Sequence, residues 1–151
     1  MSKRLFLLLM LVGLAPIWAS AQQAASSCPN PLEYENHNQI NPPSLSVRAV
    51  AGRVIAQDGV SVPNACLGLF TERDHRLVAN IVADDDGNFR FRNVPSGQYR
   101  LVVRDEYGGF CTANSRINII GWPRGGIRKR RRIIVHLRPS AIDVCSYADY
   151  K

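Results

Sequence analysis

The chain has 151 residues, a formal net charge of +7 and four cysteines. Its length bounds it to one domain with tails, enough to bury a single core. The cysteines (Cys28, Cys66, Cys111, Cys145) stand 38, 45 and 34 residues apart with no C-x-x-C pair, which excludes a zinc knot and a thioredoxin-like redox site.

In chain order, Lys3 and Arg4 precede an uncharged apolar run from Leu5 to Trp18, followed by Ala19-Ser20-Ala21, the small-x-small pattern of a signal-peptidase site. The run is shorter than the roughly 20 residues of a membrane span. Residues 1–21 are therefore expected to be a signal peptide cleaved near Ala21, leaving 130 residues in a secreted or periplasmic protein. An even cysteine count with none in the signal segment agrees with an oxidising compartment. Cys28 follows Ala25, Ser26 and Ser27, but it lies too far past the apolar run for a lipid-modified cysteine and lacks the usual preceding Leu.

Residues 22–46, rich in Gln, Asn, Ser and Pro and without period, read as an extended leader. Short β-rich runs follow. Arg48 to Gln57 presents Val50, Gly52 and Val54 on one face and ends at the turn pair Asp58-Gly59. Asn64 to Thr71 turns Ala65, Leu67 and Leu69 inward after Pro63, and Leu77 to Ala83 makes a third strand before the Asp84–Asn88 turn. Phe89 and Phe91 share a face in a short strand closed by Val94, and Pro95-Ser96-Gly97 turns into Gln98 to Asp105, where Tyr99, Leu101 and Val103 alternate. Strands around Arg116–Ile120 and Arg132–Leu137, the latter with Ile133, Val135 and Leu137 on one face, bring the total to about seven. No amphipathic helix is evident, and this strand number is that of a sandwich.

The series Val50-x-Gly52-x-Val54, Asp58-Gly59, Val62-Pro63-Asn64-Ala65, Asp86-Gly87-Asn88-Phe89-x-Phe91, Val94-Pro95-x-Gly97-x-Tyr99-x-Leu101 closely resembles the carboxypeptidase regulatory-like domains. The match is strong over Val50–Val103 and holds only as a pattern from there to Leu137. The resemblance implies an all-β fold, a single seven-stranded transthyretin-like (prealbumin-like) β-sandwich of the carbohydrate-binding-like type, over residues 47–139. A C-terminal tail, 140–151, would then be tied down by a disulfide. It also implies an accessory or interaction role, without naming a ligand. The motif residues serve the fold: Gly in turns, Pro at strand starts, aromatics in the core.

No catalytic residue, metal site or cofactor is expected. The three histidines (His37, His75, His136) are isolated, and none stands in the H-x-x-E or H-E-x-x-H setting of a zinc peptidase. His136 is expected on the strand face opposite Val135 and Leu137, and His75 in a solvated charged turn. Two enzyme families share this fold. The chain ends Tyr147-Ala148-Asp149-Tyr150-Lys151 rather than the Tyr-Arg-Gly-Ser of the hydroxyisourate hydrolases, and Tyr107 with His136 cannot make the two-Tyr, two-His iron set of the intradiol dioxygenases. Asp84, Asp86 and Asn88 mimic the opening of an EF-hand loop. Counting from Asp84, however, Phe89 falls where Gly is required and Pro95 where the bidentate acid belongs, so a tight hairpin is expected.

Removing Lys3 and Arg4 leaves a charge of +5, while Arg124, Arg128, Lys129, Arg130, Arg131 and Arg132 contribute +6, so the rest of the mature chain is −1. The basicity is local, in a turn-rich segment running into the last strand. Two readings fit it: charges guarding an edge strand, or a surface for an anionic partner such as an acidic glycan, phosphate or lipid headgroups, with membrane contact peripheral at most. Nucleic acid is not expected, since no aromatic stacking series accompanies the run. Trp122, the single Trp of the mature chain, reads as a loop anchor as readily as a sugar platform. The four cysteines allow three pairings. Cys28 with Cys66 and Cys111 with Cys145 is the set that would pin both tails to the domain. The expectation is an exported, non-enzymatic binding module whose partner is an envelope protein, a carbohydrate or an anionic polymer; a structural subunit of a surface assembly is the alternative, and a small enzyme of this fold stands behind both.

Overall fold

A computed structural model describes residues 28, 44–121, 131–140 and 146–150. These form nine strands and no helix: β1 (Leu45–Val47), β2 (Ala51–Ala56), β3 (Cys66–Thr71), β4 (Leu77–Val82), β5 (Asn88–Arg90), β6 (Gly97–Arg104), β7 (Ala113–Ile119), β8 (Ile133–Leu137) and β9 (Tyr147–Tyr150). Two sheets pack face to face, sheet A in the order β1-β7-β6-β3-β4 and sheet B in the order β5-β2-β8-β9. The β1–β7 and β2–β8 pairs are parallel; the others are antiparallel.

Alternation along each strand decides which side chains meet between the sheets. Val54, Leu67, Leu69, Leu101, Val103, Ile117, Ile133, Val135 and Leu137 are almost wholly buried there. Phe89 and Phe91 close the core edge to face, with ring centroids 6.5 Å apart. The turns follow their residues. Gly59 takes φ 85° and Gly87 takes φ 75°, a region glycine enters without strain. Asp58 and Asp84 carboxylates accept main-chain amides from the residues that follow them.

The seven anticipated strands correspond to β2–β8, and the sandwich gains two more. β1 lies in what read as leader and β9 in what read as tail, so the strands extend beyond the 47–139 span expected for the sandwich. Leu45 and Val47 are buried against the core and pair with β7, while Ala148 is buried beside Val135. Both strands are too short, at three and four residues, to show a period. The second strand begins at Cys66 rather than Asn64, because Asn64 adopts φ 57° and cannot extend the ladder.

β3 is buried on both faces. Leu67 and Leu69 point into the core. On the outer side Cys66 and Phe70 join Val102 in a second apolar cluster, with Cys28 packed against it.

Candidate functional site

The disulfide Cys28–Cys66, with a Cα–Cα distance of 5.6 Å, joins the leader to this outer cluster. Of the three pairings left open by sequence, it is the one element the described residues settle. Cys145 lies outside them, and so does any bond it makes. Cys111 is held by main-chain pairing to Arg138, and its carbonyl accepts a hydrogen bond at 2.7 Å from the hydroxyl of Ser146, the chain neighbour of Cys145.

Of the six basic residues singled out by composition, Arg124, Arg128, Lys129 and Arg130 fall outside the described residues. Arg131 and Arg132 are exposed at the entrance to β8. That strand lies between β2 and β9, so its basic approach does not guard a sheet edge. The Arg131 guanidinium rests 5.0 Å from the ring centroid of Tyr150, a cation–π contact, and the Tyr150 hydroxyl donates to the Ser46 carbonyl at 3.0 Å.

The outer face of sheet B is where chemistry-bearing side chains converge. Register places Ile55, His136 and Tyr147 in one cross-strand row and Asn88, Arg53, Ile134 and Asp149 in the next. His136 and Tyr147 stack with ring centroids 4.7 Å apart and planes at 13°, and Arg138 covers the tyrosine ring at 5.3 Å. The His136 Nε2 lies 3.2 Å from an Asp149 carboxylate oxygen. Arg53 is fixed by donating to the Asp86 carbonyl at 2.7 Å and the Ser61 hydroxyl at 2.6 Å, and Arg90 stands exposed beside it on β5. The result is a half-buried, largely cationic platform of stacked planar groups with an imidazole–carboxylate pair at its rim. It offers donors for oxyanions and hydroxyls together with planar apolar surface.

The placing of His136 on this face agrees with its alternation opposite Val135 and Leu137. Tyr147 and Asp149 carried no signal of their own, because their strand read as a tail, and Arg138 carried none because it only follows the last anticipated strand. Tyr107 is 87% exposed in the β6–β7 connection of sheet A, so the structure does not gather it with His136 of sheet B.

A second polar group sits on the outer face of sheet A. Arg100 binds Glu72 bidentately, both contacts at 2.9 Å, Arg116 reaches the same carboxylate at 3.1 Å, and Arg100 also donates to Asn114 at 3.4 Å. These groups satisfy one another. They tie β6, β7 and the end of β3, which is a structural role.

The Asp84–Asn88 turn is a tight hairpin. Asp84 accepts from the Asn88 amide at 2.7 Å, the Asp86 amide at 3.1 Å and the Asn88 side-chain amide at 3.2 Å. The Asn88 amide foremost holds its carboxyl below the ordinary 3.8. Asp74 is likewise lowered, chiefly by the hydroxyl of Thr71. Among the described residues no three His, Cys, Asp or Glu side chains are grouped to hold a metal ion.

Among family models, that of the carboxypeptidase regulatory-like domain matches residues 49–121. No curated protein matches the chain.

Proposed function

Because residues 49–121 form a carboxypeptidase regulatory-like domain, a β-sandwich interaction module, we propose that the protein is exported and binds a component of the cell envelope or extracellular space without performing catalysis. Its binding surface is the outer face of sheet B with the adjoining basic segment. The observation that carries this reading is the Arg138–Tyr147–His136 stack on the outer face of sheet B, on the strand that the basic segment leads into. Stacked planar groups ringed by guanidinium suit an acidic carbohydrate or another anionic polymer. They supply van der Waals area to a sugar ring and paired donors to its charged groups. The amino-terminal pattern through Ala21 supports export, and the Cys28–Cys66 bond fits an oxidising compartment.

Co-sedimentation of the mature protein with isolated envelope material, at low and physiological salt, tests the proposal. Saturable binding is expected, weakened by salt and lost in Tyr147→Ala and in a variant with Arg128 to Arg132 neutralised. Binding that both variants retain would place the surface elsewhere. No binding at either salt would sink the reading.

A further inference from the structure

The connections set the two ends of the sandwich apart in charge. At one end β1 leads to β2, β3 to β4, β5 to β6 and β7 to β8; at the other β2 leads to β3, β4 to β5, β6 to β7 and β8 to β9. The second end carries exposed Asp58, Asp84, Asp85 and Asp86, with Asp105 and Glu106, against Arg104 and Arg138. The first carries Arg90 and Arg92 at the end of β5 and Arg131 and Arg132 before β8, all four exposed. Charges in the β3–β4 connection balance one another: Asp74 pairs with Arg76, and Glu72, beside Arg73, is held by Arg100 and Arg116. Asp149 is turned to His136 on the outer face of sheet B. Among the described residues, no carboxylate pairs with Arg90, Arg92, Arg131 or Arg132.

Apolar side chains share the cationic end. Leu77 and Val78 at the start of β4 and Ile120 just past β7 are 47%, 43% and 41% exposed. The Ile120 amide donates to the Val47 carbonyl at 2.9 Å, the neighbouring Ser46 carbonyl accepts the Tyr150 hydroxyl, and Arg131 lies on the Tyr150 ring. Arg90 stands opposite Ala51, and the Phe91 amide between Arg90 and Arg92 donates to the Val50 carbonyl at 2.9 Å. The parallel β2–β8 register, which begins at Gly52–Ile133, brings Arg132 beside Ala51 from the other side, so Arg90 and Arg132 lie two strand spacings, about 10 Å, apart. A soluble polyanion would meet the cations and leave the apolar side chains wet. A bilayer takes both: headgroup phosphates meet the guanidinium groups, and Leu, Val and Ile enter the acyl boundary below. Arginine stems lie along that boundary while their heads stay with the phosphates. The acidic end is repelled and turns away. We propose that this end of the sandwich docks on an anionic lipid surface, with the strands upright and the acidic end outward. The inference shares Arg131 and Arg132 with the proposed binding face but not the Tyr147 stack, and does not rest on that reading.

Sedimentation of the mature, disulfide-bonded protein with carbohydrate-free vesicles tests it. Binding is expected to phosphatidylcholine mixed with phosphatidylglycerol and not to phosphatidylcholine alone, and it should weaken as salt rises. Without an acyl chain the contact should half-saturate only near about 1 mM lipid, so it adds little at the dilute lipid of an envelope sedimentation. Arg90→Ser with Arg92→Ser should weaken binding about tenfold or more. Val78→Ser with Ile120→Ser should weaken it about fivefold and leave its salt dependence as it was. All four positions are exposed, and thermal unfolding like that of the wild type checks that each variant keeps the fold. Tyr147→Ala should bind the vesicles as the wild type does, which separates this contact from the platform on sheet B. No binding to the mixed vesicles overturns the proposal, as does binding that the arginine pair does not affect. Two further outcomes also overturn it. Binding untouched by Val78→Ser with Ile120→Ser would make this end a site for soluble polyanions, and binding lost in Tyr147→Ala would assign the lipid contact to the platform.

Discussion

Gly52→Ala is a change of one methyl group that the fold should resist strongly. Gly52 pairs with Phe89 of β5 on one side and Ile133 of β8 on the other, in the middle of sheet B. A Cβ there would stand 2.7 Å from the carbonyl carbon of Ile133 and 3.0 Å from its Cα, with the carbonyl oxygen nearer still. Carbon contacts relax at about 3.5 Å or more, so the β8 main chain would have to retreat by about 1 Å. Those atoms are backbone, and Ile133 is fully buried, so no side-chain rotation relieves the overlap. The retreat loosens a parallel ladder that runs from Gly52–Ile133 to Ala56–Leu137. Weakening two of its hydrogen bonds costs about 1 kcal/mol each, and overpacking adds about 1–3 kcal/mol. The sum, about 3–5 kcal/mol, is a large share of the 5–15 kcal/mol typical of a domain and corresponds to a fall of roughly 15–30 °C in Tm. Thermal and urea unfolding followed by far-ultraviolet circular dichroism would measure it. Gly59→Ala is the control: Gly59 has φ 85° but nothing within 4 Å of its would-be Cβ, so it should cost only about 1 kcal/mol of backbone strain. A Gly52→Ala protein within about 1 kcal/mol of wild type would refute the claim that β2 and β8 approach too closely for any side chain.

Ser115 faces the core with its hydroxyl buried and unpaired among the described residues, so Ser115→Ala should leave stability unchanged or raise it by about 1 kcal/mol in urea titrations. Replacing Cys28 and Cys66 together by Ala releases a 38-residue loop and should cost about 4 kcal/mol on the chain-entropy account; denaturation midpoints equal to wild type would contradict it. Non-reducing peptide mapping should join Cys111 to Cys145, since the residue after Cys145 hydrogen-bonds the Cys111 carbonyl; a free thiol on Cys111 would rule the pair out. The lowered pKa of Asp84 means that its ionised form favours the fold. Its contribution is fully present above the ordinary value of 3.8 and is lost as pH falls through the lower folded value. Asp84→Ala should therefore flatten the acid end of the stability profile, and a profile of unchanged slope would show that the turn contacts do not discriminate between charge states.

Alternation made the inward face legible wherever a strand was long enough to repeat. Ala65, Leu67 and Leu69, or Tyr99, Leu101 and Val103, announce a buried side without reference to any other strand. Turn chemistry did the same at Asp58-Gly59 and at Asp84–Asn88, because positive φ and side-chain capping are local requirements. What alternation does not encode is which strand lies beside which. β8 as an edge was a natural reading of a last long strand with a basic approach, and it fails because four residues after Ser146 supply one more strand outside it.

The same missing neighbour hid the candidate site. Ile55, His136 and Tyr147 are far apart in the chain and become a row only when β2, β8 and β9 are set side by side. His136 read alone is a rim residue, and Tyr147 read alone is a tail tyrosine; stacked at 4.7 Å beneath Arg138 they form a platform. Local charge, by contrast, was visible in composition, yet its meaning depends on what it adjoins. Arg131 and Arg132 lead into a strand flanked on both sides, and Arg131 lies on the Tyr150 ring, so these charges have no exposed edge there to guard.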